Sequence, residues 1–501
     1  MSDPESSIVK QTEDGRVEIV DGTSLIGSPL YNHDLAPVPI SERNWTTYNF
    51  AALWMSMSAC IPTYILASGL IAEGMNWWQS LLTIFIGNVI VLVPIILNSF
   101  PGTKYGIPFP VFARSAYGTL GSNLPALMRA AVACGWFGIQ TWIGGTAVNV
   151  LLSSIIPQWS SALSAEVFGY TLSVWASFAL FWGLNVLVIF RGMDQVRRLA
   201  GLAAPFVFVM TASLCFWAVS NANGLGQILS QEGRLNDPST FFPKFIPALS
   251  AMIGFWATLS LNMPDFTRFG RSQREQTVGQ VVALPLAMTV YSGMGVLITS
   301  AAVIIYPHAP MKDLWDPIKL SGQFHEPWLI GMAMFTIAVA TLCVNIAANV
   351  VSPANDFANT FPRWISFRTG GLITGVIGIF MQPWRLLADA DSYIFGWLQG
   401  YSGGLGSIAG VLVVDYWLLK RQNLDLPALY LEDNRYTYTN GWNFRAVIAT
   451  LLGCIAAWIG LLLPALKVLY EYAWFIGFGV AALVYLLLSW NAFKPSGNIT
   501  K

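Results

Sequence analysis

Long apolar runs, separated by short polar stretches, follow one another along most of the chain. A helix needs about 20 apolar residues to cross the roughly 30 Å of hydrocarbon in a bilayer. Twelve runs reach that length, which predicts an all-α polytopic membrane protein with twelve transmembrane helices. The predicted spans are 46–71, 77–100, 124–155, 168–190, 196–220, 245–264, 277–306, 327–352, 366–383, 393–419, 443–464 and 468–490.

The composition agrees with a chain that sits in a lipid bilayer. Charged residues make up 10% of it and hydrophobic residues 55%, whereas soluble domains carry about 25% charged residues. The net charge is zero, so nothing indicates nucleic-acid binding. The cysteines all lie in apolar runs and form no CxxC pair, which argues against disulfides and a metal site. They are Cys60, Cys134, Cys215, Cys343 and Cys454.

The basic residues predict the orientation of the spans. With the N-terminus in the cytoplasm, 20 of the 26 Lys and Arg residues fall on the cytoplasmic side and 6 on the other. Such an excess is typical of cytoplasmic loops. The pattern therefore predicts a multi-pass protein of the cell (inner or plasma) membrane with both termini cytoplasmic. Residues 1–45 are polar and acidic, which predicts a disordered N-terminal tail, and 491–501 form the C-terminal tail.

Two spans contain helix-breaking residues. Pro62 lies in the middle of the first span, and the sixth has Gly254 mid-span and Pro264 near its end. These two spans occupy corresponding positions in two five-helix halves, residues 46–220 and 245–420, which leaves 443–490 as two additional helices. Interrupted segments in corresponding positions indicate a transporter site near the bilayer midplane. Ordinary proline kinks are the alternative.

Four polar or aromatic side chains pair up on helix faces. Trp136 and Gln140 are four residues apart, and so are Asn345 and Asn349, so each pair shares a face. Amides in a membrane helix either bridge helices or face a substrate path. We favour bridging for Asn345, whereas for Gln140 and Asn349 both alternatives stay open.

Two tryptophans extend this pattern. Trp136 and Trp256 lie far from the span ends, where tryptophan usually sits. Both tryptophans could simply be buried core residues. Alternatively, two indole rings beside two amides make a slot whose faces stack on a flat heterocycle and whose amides match the edge of an imide or ureide.

Several long stretches resemble the nucleobase–cation symporter-1 family, which includes uracil, allantoin and hydantoin permeases. The resemblance covers about residues 34–490. It rests on "DLAPVPISERNW", "PGTKYGIPFPVFARSAYG", "GWFGIQTWIGG", "FWATLSLNMPDFTRF", "NIAANVVSPANDFANTFP", "QPWRLL" and "GVLVVDYWLLK".

The resemblance implies a LeuT-type fold, with a 5+5 inverted repeat, the first and sixth helices broken, and two helices added. It also implies the substrate contacts: Trp136 and Trp256 would sandwich the ring, and Gln140 and Asn349 would bind its polar edge. The backbone near Gly254 and Phe255 would contribute. Cys60 stands where the hydantoin transporter has a glutamine, and Phe255 where it has a small residue.

The resemblance also points to a cation site, which this sequence alters. In the sodium-coupled hydantoin transporter, carbonyls of helices one and eight and two helix-eight hydroxyls hold Na⁺. The carbonyl positions here are Ser56, Ala59 and Ala340, and the hydroxyl positions are Cys343 and Val344. Since neither of the last two offers the oxygen that hard cations prefer, H⁺ is favoured over Na⁺ as the coupling cation.

These observations together predict a secondary active transporter, not an enzyme. It would import a small planar nitrogen heterocycle, uracil or a related nucleobase first and allantoin or hydantoin as the alternative. A membrane-embedded enzyme would need a metal cluster, a nucleophile–base pair or paired carboxylates, and a channel would need an open pore lined by charges or carbonyls. No cofactor is expected, and the protein is expected to be a monomer.

Overall fold

The computed structural model describes residues 8–490 except 157, 192, 325 and 433, and gives no side chains for residues 24 and 193–204. The predicted C-terminal tail therefore lies outside the described residues. Helices dominate the described part. In chain order the main ones are α1 (Thr47–Ser58), α2 (Ile61–Ala72), α3 (Trp77–Tyr105), α4 (Phe109–Tyr117), α5 (Asn123–Ile155), α6 (Leu172–Arg191), α7 (Met193–Asn221), α8 (Pro238–Asn262), α9 (Gln273–Ile305), α10 (Pro327–Asn349), α11 (Val351–Thr360), α12 (Phe367–Phe380), α13 (Gln399–Val413), α14 (Phe444–Trp458) and α15 (Ala473–Ser489).

Short elements fill the connections. Two antiparallel hairpins pair β1 (Val9–Gln11) with β2 (Val17–Ile19), and β3 (Glu166–Val167) with β4 (Tyr170–Thr171). Two π-helical segments, Ser392–Leu398 and Val414–Leu419, flank α13. The remaining helical turns are Thr23–Ile26, His33–Leu35, Ile40–Glu42, Trp159–Ala162, Leu225–Leu229, Pro264–Thr267, Met311–Leu314, Pro317–Ser321, Pro383–Leu386, Pro427–Leu429, Ile459–Leu461, Pro464–Leu466 and Lys467–Glu471.

Each of the twelve predicted spans falls on one helix or on consecutive helical segments. Among the described residues, seven helices are long and apolar enough to cross a membrane by length and composition, and two bent pairs raise that number to nine. Two shorter apolar helices coincide with the fifth and ninth predicted spans. The structure is consistent with twelve spans, and the exact count stays a prediction.

The first span is broken, as predicted. Its halves α1 and α2 meet at 56°. The break lies at Ala59 (φ −79°, ψ 64°) and at Cys60, which is extended. Pro62 sits in the first turn of α2, where a proline's missing N–H costs no helical hydrogen bond. The proline therefore starts the second half rather than kinking a continuous helix.

The prediction that the sixth span is broken at Gly254 is wrong. Helix α8 runs without interruption from Pro238 to Asn262, and Pro264 begins the next short turn. A single glycine weakens a helix by only about 1 kcal/mol, which tertiary packing offsets. Here a Cβ on Gly254 would lie 2.5 Å from the carbonyl oxygen of Leu398. The glycine therefore lets α8 pack closely against the tenth span.

The prediction of a disordered tail up to residue 45 is wrong for residues 8–45. Arg43 is buried and donates hydrogen bonds to the carbonyls of Val17, Val38 and Lys104. The hydroxyl of Tyr430 donates to the Leu35 carbonyl. This polar segment is ordered because its groups pair with backbone carbonyls, a source of order that low hydrophobicity does not reveal. Its cytoplasmic location stays a prediction.

Candidate functional site

One cavity lies where the break in the first span faces helices α5, α8 and α10. It collects six of the seven residues predicted to contact a substrate, and Gly254 is the exception. The lining residues are Met57, Cys60, Pro62, Trp136, Gln140, Phe255, Trp256, Thr258, Leu259, Val344, Ala348 and Asn349.

The aromatic wall of the cavity is linked edge to face. The ring of Phe255 lies 5.3 Å from that of Trp136 and 4.9 Å from that of Trp256, at interplanar angles of 72° and 81°. Trp54 in turn packs edge-on against Trp256 at 5.1 Å. Both cavity tryptophans are more than nine-tenths buried. Phe255 thus contacts both indoles, a role that sequence spacing does not show.

Two buried polar atoms on this wall have no hydrogen-bond partner in the described part of the chain. They are Oε1 of Gln140, whose side chain is 3% exposed, and Nε1 of Trp256. A buried polar group without a partner costs about 1–3 kcal/mol. One of these atoms is an acceptor and the other a donor, and both side chains line the cavity.

The asparagines of α10 have two different surroundings. Asn345 is fully buried, and its Nδ2 donates to Thr141 Oγ1 at 3.1 Å and to Asn185 Oδ1 at 3.0 Å. It bridges three helices, so the interpretation of this amide as a helix–helix contact is confirmed. Asn349 lines the cavity, and its Nδ2 donates to Asn345 Oδ1 at 3.0 Å.

Tyr401 is a neighbour of the site that the sequence reasoning missed. Trp136 Nε1 donates to the Tyr401 hydroxyl at 3.2 Å, and that hydroxyl donates to the Gly254 carbonyl at 2.8 Å. Gly254 therefore meets the site through its backbone oxygen. Tyr401 lies among glycine and serine residues that show no hydrophobic periodicity. The sequence therefore does not place it beside Trp136, and only the packing of the helices does. Thr258 was also missed, although it follows Trp256 by only two residues.

The residues suggested for a cation site lie around the same break. Val344 lines the cavity, whereas Ala59, Ala340 and Cys343 are buried outside its lining and Ser56 is half-buried. The N–H groups of Ala59 and Cys60 donate to Met55 and Ser58, so the Ser56 carbonyl lies outside the helical ladder. The neighbouring Ser58 hydroxyl is buried and has no hydrogen-bond partner among the described residues.

Three buried carboxylates have structural partners. Asp356 forms an ion pair with Arg129 at 3.3 Å, and both side chains are buried. Asp415 pairs with Lys420 at 2.5 Å and also accepts hydrogen bonds from other residues. Asp265 Oδ1 accepts from the Phe109 N–H, at the start of α4. These contacts favour a structural role for the three carboxylates.

Comparisons with known proteins show the family to which the chain belongs. Residues 37–477 match the family model of permeases for cytosine/purines, uracil, thiamine and allantoin. The chain is 40% identical to an allantoin permease of Bacillus subtilis, over 92% of this chain and 93% of the permease. It is also 40% identical to the purine-uracil permease NCS1 of Arabidopsis thaliana, over 92% of this chain and 78% of that one.

A solved structure shows the same fold. The chain superposes on Mhp1, a nucleobase-cation-symport-1 family transporter in a closed conformation with bromovinylhydantoin bound. The TM-score is 0.74 at 23% identity, over 93% of this chain and 97% of Mhp1. The fold is thus of the LeuT type, and the relatives named here are permeases rather than enzymes. The chain therefore belongs to the nucleobase–cation symporter-1 family and is a multi-pass membrane transporter.

Proposed function

We propose that the protein imports a small planar nitrogen heterocycle, with uracil or a related nucleobase as first choice and allantoin or hydantoin as the alternative. The observation that carries the proposal is that Trp136, Trp256, Gln140 and Asn349 line one cavity. Indole faces stack on flat rings, and amides bind the alternating N–H and C=O groups of an imide or ureide. Cys60, Phe255 and the Gly254 backbone complete the proposed contacts.

The relatives support the class of substrate and leave its member open. One relative at 40% identity is named for allantoin and another, also at 40%, for purines and uracil. Identity therefore favours neither alternative. We expect the side chains that distinguish a nucleobase from allantoin or hydantoin to line the cavity. Cys60 and Phe255 are the candidates.

A competition experiment tests the proposal. Uptake of labelled uracil, allantoin and hydantoin is measured in cells that express the protein, each against an excess of uracil, adenine, cytosine, allantoin and hydantoin. We expect saturable uptake of at least one label, competed only by heterocycles of related edge pattern. Uptake of none of the three above that of cells without the protein would contradict the proposed function.

The transport step follows from the broken first span. We propose alternating access, in which substrate binds between the two tryptophans and the helices around the break then rearrange to release it inside. Unwound backbone in a membrane is tolerated where it lines a cavity, and Cys60 at the break does so. The orientation with both termini cytoplasmic and a monomeric state belong to the same proposal.

The coupling cation is proposed to be H⁺. Cys343 and Val344 replace the two hydroxyl positions of the sodium site in the resemblance, and a thiol or an alkyl group is a poor ligand for Na⁺. Ser56, Ala59 and Ala340 would supply backbone carbonyls, and the hydroxyls of Ser56 and Ser58 are the oxygen ligands that remain near the break. In proteoliposomes, uptake should follow an imposed proton gradient and be indifferent to replacement of Na⁺ by K⁺. Steep sodium dependence without a proton-gradient effect would refute this assignment.

A further inference from the structure

A line of three asparagine side chains leads from helix α6 to the cavity. Asn185 Nδ2 donates to the carbonyl of Phe181 at 2.8 Å, and its Oδ1 accepts from Asn345 Nδ2. Asn345 Oδ1 in turn accepts from Asn349 Nδ2. Asn185 and Asn345 are fully buried. The line therefore joins helices α6 and α10 and ends at a side chain that lines the cavity.

We call this line of Asn185, Asn345 and Asn349 the relay. Backbone carbonyls fix the direction of its hydrogen bonds. An amide's nitrogen and oxygen are distinguished by their partners, and a carbonyl can only accept. Phe181 thus fixes the nitrogen of Asn185, and the carbonyl of Phe137, 3.4 Å from Asn345 Nδ2, agrees for the second amide. Asn349 must then donate its hydrogen bond from Nδ2 to Asn345 Oδ1. Among the described residues no donor reaches its Oδ1, which is left for the cavity.

Gln140 differs from Asn349 in this respect. Its Oε1 is buried and without a partner, and no relay among the described residues holds either end of its amide. The Gln140 amide can rotate to suit a donor or an acceptor. Rotation of the Asn349 amide would break the bond to Asn345 and place two oxygens against each other.

We propose that Asn185 and Asn345 are positioning residues that hold the Asn349 oxygen toward the substrate. The substrate must then present an N–H donor to Asn349, while Gln140 accepts either kind of group. This selects heterocycles with a ring N–H beside a carbonyl, as in uracil, hydantoin and allantoin. The inference rests on the proposed function and deepens it. Because the relay orients Asn349 before binding, the substrate does not bear that ordering cost.

A double-mutant cycle tests the relay. Equilibrium binding of labelled uracil and labelled hydantoin is measured on the purified full-length protein in nanodiscs. Asn349→Ala should weaken binding about tenfold. Asn185→Leu should weaken it about threefold to tenfold in the otherwise unchanged protein, and less than about twofold beside Asn349→Ala, because a positioning residue acts only through the group it positions. Asn345→Ala removes the side chain to which Asn349 itself is bonded. Its effect on binding should likewise be large in the otherwise unchanged protein and small beside Asn349→Ala.

Two controls separate positioning from general damage. Asn88 is a buried asparagine that donates to the carbonyl four residues earlier, as Asn185 does, but lies outside the cavity lining, so Asn88→Leu should leave binding unchanged in both backgrounds. Asn185→Asp, as a neutral acid, keeps a donor for Phe181 and an acceptor for Asn345 and should bind as the unchanged protein does. Equal losses from Asn185→Leu with and without Asn349, or no loss at all, would overturn the relay.

Methylated ligands test the demand for a donor. For whichever ring binds, the 1-methyl and 3-methyl derivatives compete against the label. One of them should bind at least about tenfold more weakly than the parent, and this penalty should shrink in Asn349→Ala, which removes the acceptor and makes room. If both derivatives compete as well as the parent, the donor requirement is overturned. If neither uracil nor hydantoin binds the unchanged protein, labelled allantoin replaces them in the same experiment; if allantoin does not bind either, the proposed function itself fails, and the inference with it.

Discussion

The cavity and two buried ion pairs differ in how their polar side chains are partnered, although Arg129 Nε and Asp356 Oδ1 also lack a hydrogen-bond partner in the described part of the chain. At Arg129–Asp356 and Asp415–Lys420, each buried charge has an opposite charge within 4 Å. At the cavity, Gln140 Oε1 and Trp256 Nε1 have no partner in the described part of the chain. The Arg129–Asp356 pair joins helices α5 and α11, whereas the two unpartnered atoms belong to side chains that line a cavity.

An unpaired atom alone does not make a site. Among the described residues, Asn88 Oδ1 is also buried without a partner, yet Asn88 lies outside the cavity lining. Gln140 differs from Asn88 because its side chain lines the cavity together with two tryptophans. The comparison therefore predicts that changes at the ion pairs affect stability, changes at the cavity affect binding, and changes at Asn88 affect neither strongly.

The largest expected effect is on stability, at an ion pair. Arg129→Leu leaves Asp356 as a lone buried charge, which should lower the free energy of unfolding by about 3–5 kcal/mol. The measurement is the thermal midpoint of the detergent-solubilised protein. The double change Arg129→Leu/Asp356→Leu should restore most of the loss, because no charge is then left unpaired. A single variant as stable as the parent would contradict the structural role of this pair.

The second effect is on binding, at the cavity. Gln140→Ala removes an unpaired buried oxygen, so stability should stay equal or rise slightly, while heterocycle affinity falls about tenfold because the ligand's edge loses its partner. Asn88→Ala is the matched control and should leave affinity unchanged. A lower thermal midpoint with an unchanged heterocycle affinity in Gln140→Ala would contradict the assignment of this side chain to ligand binding.

The smallest effect is expected at Tyr401, which lies behind the aromatic wall. Tyr401→Phe removes the hydroxyl that joins Trp136 to Gly254, a loss of about 1 kcal/mol that should weaken binding about threefold to fivefold through a less well fixed indole. Tyr117→Phe is the control, since its buried hydroxyl bonds to Thr450 away from the cavity lining. Equal affinities in the two variants would show that the indole needs no such anchor.

The sequence predicts the helices and much of the cavity because both depend on local pattern. Apolar length places the spans, and four-residue spacing puts Trp136 with Gln140 on one face. A proline reports a local backbone constraint, so the break beside Pro62 could be anticipated. Gly254 led to a wrong prediction because a glycine in a helix is compatible with either a break or a close packing contact. The position of the Leu398 carbonyl, which the sequence does not give, shows that it is a packing contact.

What the sequence does not predict depends on how distant helices align. Tyr401 meets Trp136 across 265 residues, and Asn185 meets Asn345 across 160. No periodicity within one helix encodes such pairs. The order of residues 8–45 was missed for the same reason, since Arg43 finds the carbonyl of Lys104 only in the folded chain.

A structure of the protein with its heterocycle bound is the decisive experiment for the proposed binding site. We expect the ring in the cavity of Trp136 and Trp256, with a ring N–H within hydrogen-bond distance of Asn349 Oδ1 and a polar group of the ligand against Gln140. A heterocycle bound elsewhere, or one that meets Asn349 and Gln140 with carbon atoms only, would contradict it.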